Sequence, residues 1–283
     1  MVHLTIAYDR LRIEEKMLYE QAKSFGLATV MQDVKTTFFY LTNSSHYDTD
    51  VVLQRCISHV RGLHVAAIYE SFNIPVVNRS DVTYVCGDKM LTTLILAKAG
   101  IPTPETSIAF SAEGALMQLE RIGYPAVIKP VIGSWGRLVA RVRDREEAKN
   151  LIESRMIDND PYDQLFYVQK YVERPPRDIR AIVVGDSIVA SIFRYQPEDD
   201  WRTNVARGGR AEAVQLAKEQ QETILKAAEA VGGGVLGIDA MESKDGIVVH
   251  EVNPTVEFKG AASVSSTNIP REIVRYVMEK ARR

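Results

Sequence analysis

The chain has 283 residues, 46% of them hydrophobic, with 35 lysines and arginines against 37 aspartates and glutamates. At ~100–200 residues per domain this length suggests about two compact units, and the net charge of -2 excludes a chain-wide pull toward nucleic acid or membrane. Two cysteines, Cys56 and Cys86, are too few for a disulfide framework. Residues 1–6 lack the basic region and cleavage site of a signal peptide, and no apolar run approaches ~18 residues, so a soluble cytoplasmic protein is expected.

In chain order, residues 4–8 read as a buried strand. Ile13, Met17, Leu18, Ala22 and Phe25 follow at helical spacing. Strands are expected at 28–31 and 51–53, a helix over 65–72 and a strand over 74–78. Such alternation predicts an α/β unit with a parallel sheet, ending near Cys86. A helix over 89–99 stops at Gly100 and the Ile101-Pro102-Thr103-Pro104 turn. A strand at 107–110, a helix over 112–122, strands at 126–129 and 138–143 and a helix over 146–155 complete the middle of the chain. The last third is rich in strands: 165–172, then 179–184 and 187–195 about a Gly185-Asp186 hairpin turn. A polar loop over 196–212 precedes a helix over 217–231, strands at 235–241 and 247–252, and a final helix starting near Pro270. Units are expected at 1–87, 88–165 and 166–283.

Gly237-Ile238-Asp239 and Glu251-Val252-Asn253 carry the strongest chemical signal. Asp239 is expected to end one strand, and Glu251 and Asn253 share a face of the next. Two carboxylates and an amide oxygen suit magnesium held against phosphates; the plainer alternative is a pair of solvated strand-end charges. Lys89 opens a helix, and Lys129 terminates an apolar strand, which suits an ammonium facing an anion. For either lysine taken alone, snorkelling to solvent is the plainer reading. Gly133-Ser134-Trp135-Gly136 precedes a strand, so it matches neither the P-loop nor the dinucleotide fingerprint, yet its amides could fold over a phosphate. Gln169, Lys170, Tyr171 and Val172 could present backbone groups to an adenine edge or form a half-exposed strand. Arg180 and Arg194 lie on strands, able to hold a carboxylate or phosphate. Asn204, Val205 and Ala206 sit in a polar loop that could close over an anion. No histidine or cysteine metal pattern is visible: His59 and His64 are five apart.

In this order, Lys89, Lys129-Pro130, the glycine loop, Gln169–Val172, Asp178-Ile179-Arg180, Asp239 and Glu251-Val252-Asn253 resemble the ATP-grasp ligases of the RimK-related branch. The resemblance covers nearly the whole chain. Its telling segments include Leu53-Gln54-Arg55-Cys56-Ile57-Ser58, Pro75-Val76-Val77-Asn78-Arg79 and Val256-Glu257-Phe258-Lys259, which are most similar to the LysX group. That resemblance implies a pre-ATP-grasp domain followed by two subdomains that clasp ATP. It implies ATP contacts from Lys89, Lys129, the loop around Ser134, Gln169–Val172, Arg180 and Asn204. It implies magnesium at Asp239, Glu251 and Asn253. Arg194 and the 204–206 segment, with Glu257, Gly260 and Ala261, would meet the amino acid, and Arg180 or Arg194 would act in catalysis. The LysX group joins 2-aminoadipate to the C-terminal glutamate of an acidic carrier protein, LysW, in lysine biosynthesis; the related ArgX group uses glutamate, for arginine. A LysW-like carrier and a homo-oligomer are therefore expected as partners. After Glu-Phe-Lys the two groups carry Asn plus a hydroxyl residue, or Gly-Phe; Gly260-Ala261 matches neither. A RimK-like ligase for another protein, or a non-catalytic ATP-binding regulator, is the alternative. A dehydrogenase is disfavoured, because the turn after residues 4–8 has no glycine.

Overall fold

The computed structural model describes residues 1–43, 47–133, 138–156, 164–198, 200–203 and 210–281. Its first unit follows the alternation in the sequence. Strands β1 (His3–Tyr8), β2 (Ala28–Asp33), β3 (Val51–Gln54) and β4 (Val76–Val77) form a parallel sheet in the order β2-β1-β3-β4. Helices α1 (Ile13–Ser24) and α2 (His59–Ser71) connect them. α2 starts six residues before the apolar run that announced it, because Ser58 caps it, accepting from the Arg61 amide. Helix α3 (Ser80–Gly87) was not expected: its composition is β-like, but Val82, Thr83 and Cys86 bury one helical face.

Asp88 caps α4 (Lys89–Lys98), its carboxylate accepting from Met90 and Leu91 amides at 2.8 and 3.0 Å. The next sheet is antiparallel, in the order β5-β8-β6-β7, from β5 (Thr106–Ala109), β6 (Ala126–Lys129), β7 (Ala140–Val142) and β8 (Phe166–Lys170). Helices α5 (Ala112–Ile122) and α6 (Arg145–Arg155) cover one face around Leu119, Ile128, Phe166 and Val168. β8, expected to open the last unit, pairs with β5 and β6 instead.

The largest sheet has the order β11-β10-β9-β12-β13, made by β9 (Arg177–Val184), β10 (Ser187–Tyr195), β11 (Ala211–Ala213), β12 (Val235–Ser243) and β13 (Gly246–Asn253). β11 lies inside the expected loop: three residues carry no periodicity, and pairing with the edge of β10 creates the strand. Helix α7 (Lys218–Ala230) packs on one face with α3 and α4. The other face shares a core with the first unit through α9 (Ile269–Ala281), in which Ile182, Val235, Phe258 and Val277 meet Leu4, Leu18 and Leu53. A short helix, α8 (Lys259–Ala262), was also missed. Asn78 pins this junction: its amide donates to Val235 and Pro254 carbonyls at 2.7 and 2.6 Å and accepts from the Val235 amide at 2.7 Å. Gly234, at φ +114°, leaves the room; a Cβ there would stand 2.1 Å from Asn78 Oδ1.

Candidate functional site

Two cavities meet among these three sheets. One is a cleft with Val127, Lys129 and Gln169 on one wall, Met241 and His250 on the other, and residues 170–172 behind. The other, about 950 Å³, lies between the first unit and the large sheet, bordered by Arg12, Ser58, Arg180, Asn253, Glu257, Gly260 and Ala261. Lys89, Gly133, Arg194, Asp239 and Glu251 line both. A chain of cations and carboxylates thus stands where the two spaces join.

Backbone register builds that junction. Asp239 does not end its strand, as expected; it lies in the middle of β12, with Arg180 of β9 beside it on one side and Glu251 of β13 on the other. Arg180 holds Asp239 with two N–H groups, Nη2 to Oδ2 at 2.7 Å and Nε to Oδ1. Arg194 donates to Asp178 at 2.8 and 2.6 Å and reaches Asp239 Oδ2 at 3.1 Å. Two arginines, Arg194 buried and Arg180 partly so, balance the charge of two buried aspartates within one network. Burial opposes the charge on Asp239, but Arg180 and Arg194 outweigh it and hold its pKa well below the carboxylate range. Burial likewise opposes Arg194, and Asp178 and Asp239 raise it above the ordinary guanidinium value.

Lys129 is buried, and its ammonium donates to Gln169 Oε1 at 2.7 Å. Burial is the main cause of its fall to about 8, with Glu251 opposing and Lys89 adding to it. Lys89 Nζ donates to the Gly133 carbonyl at 2.6 Å and lies 4.0 Å from Glu251.

The pattern described as the RimK-like ATP-grasp domain matches residues 86–277, and that of the LysX preATP-grasp domain matches residues 4–85. The chain belongs to the RimK-like ATP-grasp family. Alpha-aminoadipate–LysW ligase LysX of Saccharolobus solfataricus is 38% identical, over 95% of this chain and 97% of that protein. Glutamate–LysW ligase ArgX of Sulfurisphaera tokodaii is 36% identical, over 98% and 99%. Among solved structures, the RimK domain ATP-grasp protein of Sphaerobacter thermophilus superposes with a TM-score of 0.84 at 25% identity, covering 98% of this chain and all of that one. The protein is therefore an ATP-dependent, ADP-forming ligase, with the mixed α/β ATP-grasp fold expected from its motifs.

In this ATP-grasp fold the expected site residues fall into three groups. Lys89, Lys129, Gly133, Gln169, Lys170, Tyr171, Val172, Arg194, Asp239 and Glu251 all line the cleft, and Arg180, Asn253, Glu257, Gly260 and Ala261 line the larger cavity. Ser134, Trp135, Gly136, Asn204, Val205 and Ala206 lie outside the described residues. Gln169 supports Lys129 with its side chain, also donating to Thr106 Oγ1 at 3.1 Å. The Lys170 and Tyr171 amides are committed to Glu105 and Pro125 carbonyls, so neither is offered to a ligand.

For magnesium, the donor chemistry fits. Asp239 and Glu251 are register neighbours that bring two carboxylates to adjacent strands, and Asn253, on the same strand as Glu251, donates through Nδ2 to Asp239 Oδ2 at 3.4 Å. Among the described residues no group of three His, Cys, Asp or Glu side chains forms a metal cluster, so the amide oxygen is needed to complete the set.

His250, Arg174 and Thr203 also line the cleft and were not anticipated. Both His250 ring nitrogens are shut off from solvent without a protein partner. Burial, followed by the charge of Lys129, pushes its pKa down to about 4. A histidine directly after the apolar run Ile247-Val248-Val249, on the same strand, was the available signal. No helix among the described residues is long and apolar enough to cross a membrane.

Proposed function

We propose that the protein joins the amino group of 2-aminoadipate, or of glutamate, to the C-terminal glutamate of an acidic LysW-like carrier in the cytoplasm. The observation that carries this reading is the shared wall, on which Lys89, Arg194, Asp239 and Glu251 face both the cleft and a second chamber. ATP occupies the cleft with its phosphates toward Lys89 and Lys129; the amino acid occupies the chamber beside Glu257, Gly260 and Ala261. Asp239, Glu251 and Asn253 would hold magnesium, which supplies charge neutralisation at the phosphates.

The carrier's carboxylate oxygen attacks the γ-phosphorus, the bond to the β-phosphate bridge breaks, and ADP leaves an acyl phosphate. Lys89 and Lys129 offset the charge that builds as this happens. The amine nitrogen then attacks the acyl carbon, phosphate departs with the C–O bond pair, and the amine's proton passes to phosphate or water. Arg180 and Arg194, fixed by their aspartates, present rigid positive charge to the tetrahedral intermediate. A closed site keeps water from the acyl phosphate.

Purified protein with ATP, magnesium and the carrier, given each amino acid in turn, tests this by ADP release and carrier mass. A carrier heavier by one amino acid is expected. ADP release with an unmodified carrier would transfer the reading to another acceptor; no turnover with any acceptor would overturn the ligase reading. The donors differ by one methylene, which a pocket separates by about 1–3 kcal/mol. Replacing Gly260-Ala261 by Asn-Thr is expected to shift the ratio of kcat/KM values toward aminoadipate, and an unchanged ratio would remove these positions from selection.

A further inference from the structure

Two segments that carry the family resemblance, one in the first unit and one after β13, meet in space without touching the nucleotide cleft. Arg55 follows β3 and is among the largest fully buried side chains. Its Nη2 donates to the Val256 carbonyl at 3.0 Å and its Nε to Glu15 Oε1 at 3.1 Å, and its guanidinium lies 5.8 Å from the centre of the Phe258 ring. Glu15, fully buried in α1, also accepts from Arg12 Nη2 at 2.7 Å and Nε at 3.0 Å. Arg12 passes the contact on, its Nη1 donating to Glu257 Oε1 at 3.1 Å. On either side, Thr255 Oγ1 donates to the Cys56 carbonyl at 3.2 Å, and the Lys259 amide donates to Glu14 Oε1 at 3.1 Å.

Every residue from Thr255 to Lys259 is therefore held from the first unit, 199 to 245 positions away in sequence. Gly260 and Ala261 follow at once, inside α8, on the wall of the larger cavity. A buried arginine and a partly buried one around a buried carboxylate are a costly way to fill a core, because well-packed apolar side chains of similar size often do as well for stability. What the charges add is direction: a planar fork fixes a backbone carbonyl in angle as well as distance.

The geometry points to Arg55 as a positioning residue for the amino-acid half of the site, acting through Glu15 and Arg12 to set where Glu257, Gly260 and Ala261 stand. This rests on the amino acid binding in the larger cavity. Arg55 lines neither cavity, so its loss is expected to act on the amino acid through the 255–261 segment and to leave nucleotide binding alone.

The test replaces Arg55 by Gln and measures three quantities on the full-length enzyme. The KM for the amino acid is expected to rise about tenfold or more. Affinity for ADP, by calorimetry, stays within about twofold, the range expected for a site left intact. Amide exchange in peptides covering 255–263 speeds up while the rest of the molecule keeps its protection. Unchanged KM and unchanged exchange overturn the proposal, as does an equal loss of ADP affinity. If Arg55→Gln does not fold, Arg55→Lys decides by the same measurements, since it keeps the buried charge and loses the planar fork. If the unmodified enzyme ligates neither amino acid, the functional reading has failed, and exchange in 255–263 alone decides whether Arg55 fixes this segment.

Discussion

Lys129 is a cation kept in a place that disfavours cations. Its pKa, depressed to about 8 by burial, lies below the ~10.4 of an unfolded chain. Between those values the unfolded chain binds a proton that the folded chain does not, so this group's contribution to stability rises from pH 8 toward 10; below pH 8 its buried charge is a standing cost. Chemical denaturation across that window is expected to show a rising stability that Lys129→Met flattens. ATP phosphates reverse the depression, so nucleotide binding near pH 8 should draw in a proton, seen as a buffer-dependent heat. Lys129→Ala should remove ATP turnover by about a hundredfold or more and leave the circular dichroism spectrum unchanged; normal turnover would sink the phosphate role. Reading the sequence found this lysine because an apolar strand ended on it. It could not find the Arg194–Asp178 and Arg180–Asp239 pairs, since which arginine meets which carboxylate depends on strand register.

At the scale of elements, strand and helix alternation was legible wherever burial left a period in the sequence, as in β1, α1, α5 and β10. Elements that exist through their neighbours were not. β11 is a strand because β10 had a free edge, and α3 is a helix because Val82 and Cys86 face the core beside α7. The Asn78 junction is another case: a lone asparagine after β4 gives no local sign that it serves three backbone groups 157 to 176 positions away. Asn78→Ala strands the Val235 amide and carbonyl, and is expected to cost about 2–3 kcal/mol in urea denaturation. A loss under about half that size would mean water or a shifted backbone replaces the bonds.

Across the whole molecule, the middle sheet is tied to residues after β10 beside the cleft. Arg141 of β7 lies 5.3 Å from the Tyr171 ring and 5.6 Å from that of Trp201, and Arg202 Nη1 donates to the Val139 carbonyl at 3.3 Å. The contacts with Trp201 and Arg202 bind the middle sheet to the segment following β10, whose residues line the cleft. Arg141→Ala is expected to weaken ADP binding about three- to tenfold by loss of cation–π attraction, with the melting temperature little changed; intact affinity would show that the tie holds without it.

One wall serving two chambers also bears on how the enzyme could be blocked. Lys89 and Arg194, which line both chambers, would grip an anionic tetrahedral phosphorus centre placed between them. A phosphinate bearing an adenosine diphosphate arm and an aminoadipate arm would draw on both chambers in one molecule. Tethering raises affinity by effective concentration, not by new contacts, so such a compound should bind far more tightly than either arm. A related ligase sharing only the nucleotide cleft would discriminate against it by the whole contribution of the second arm.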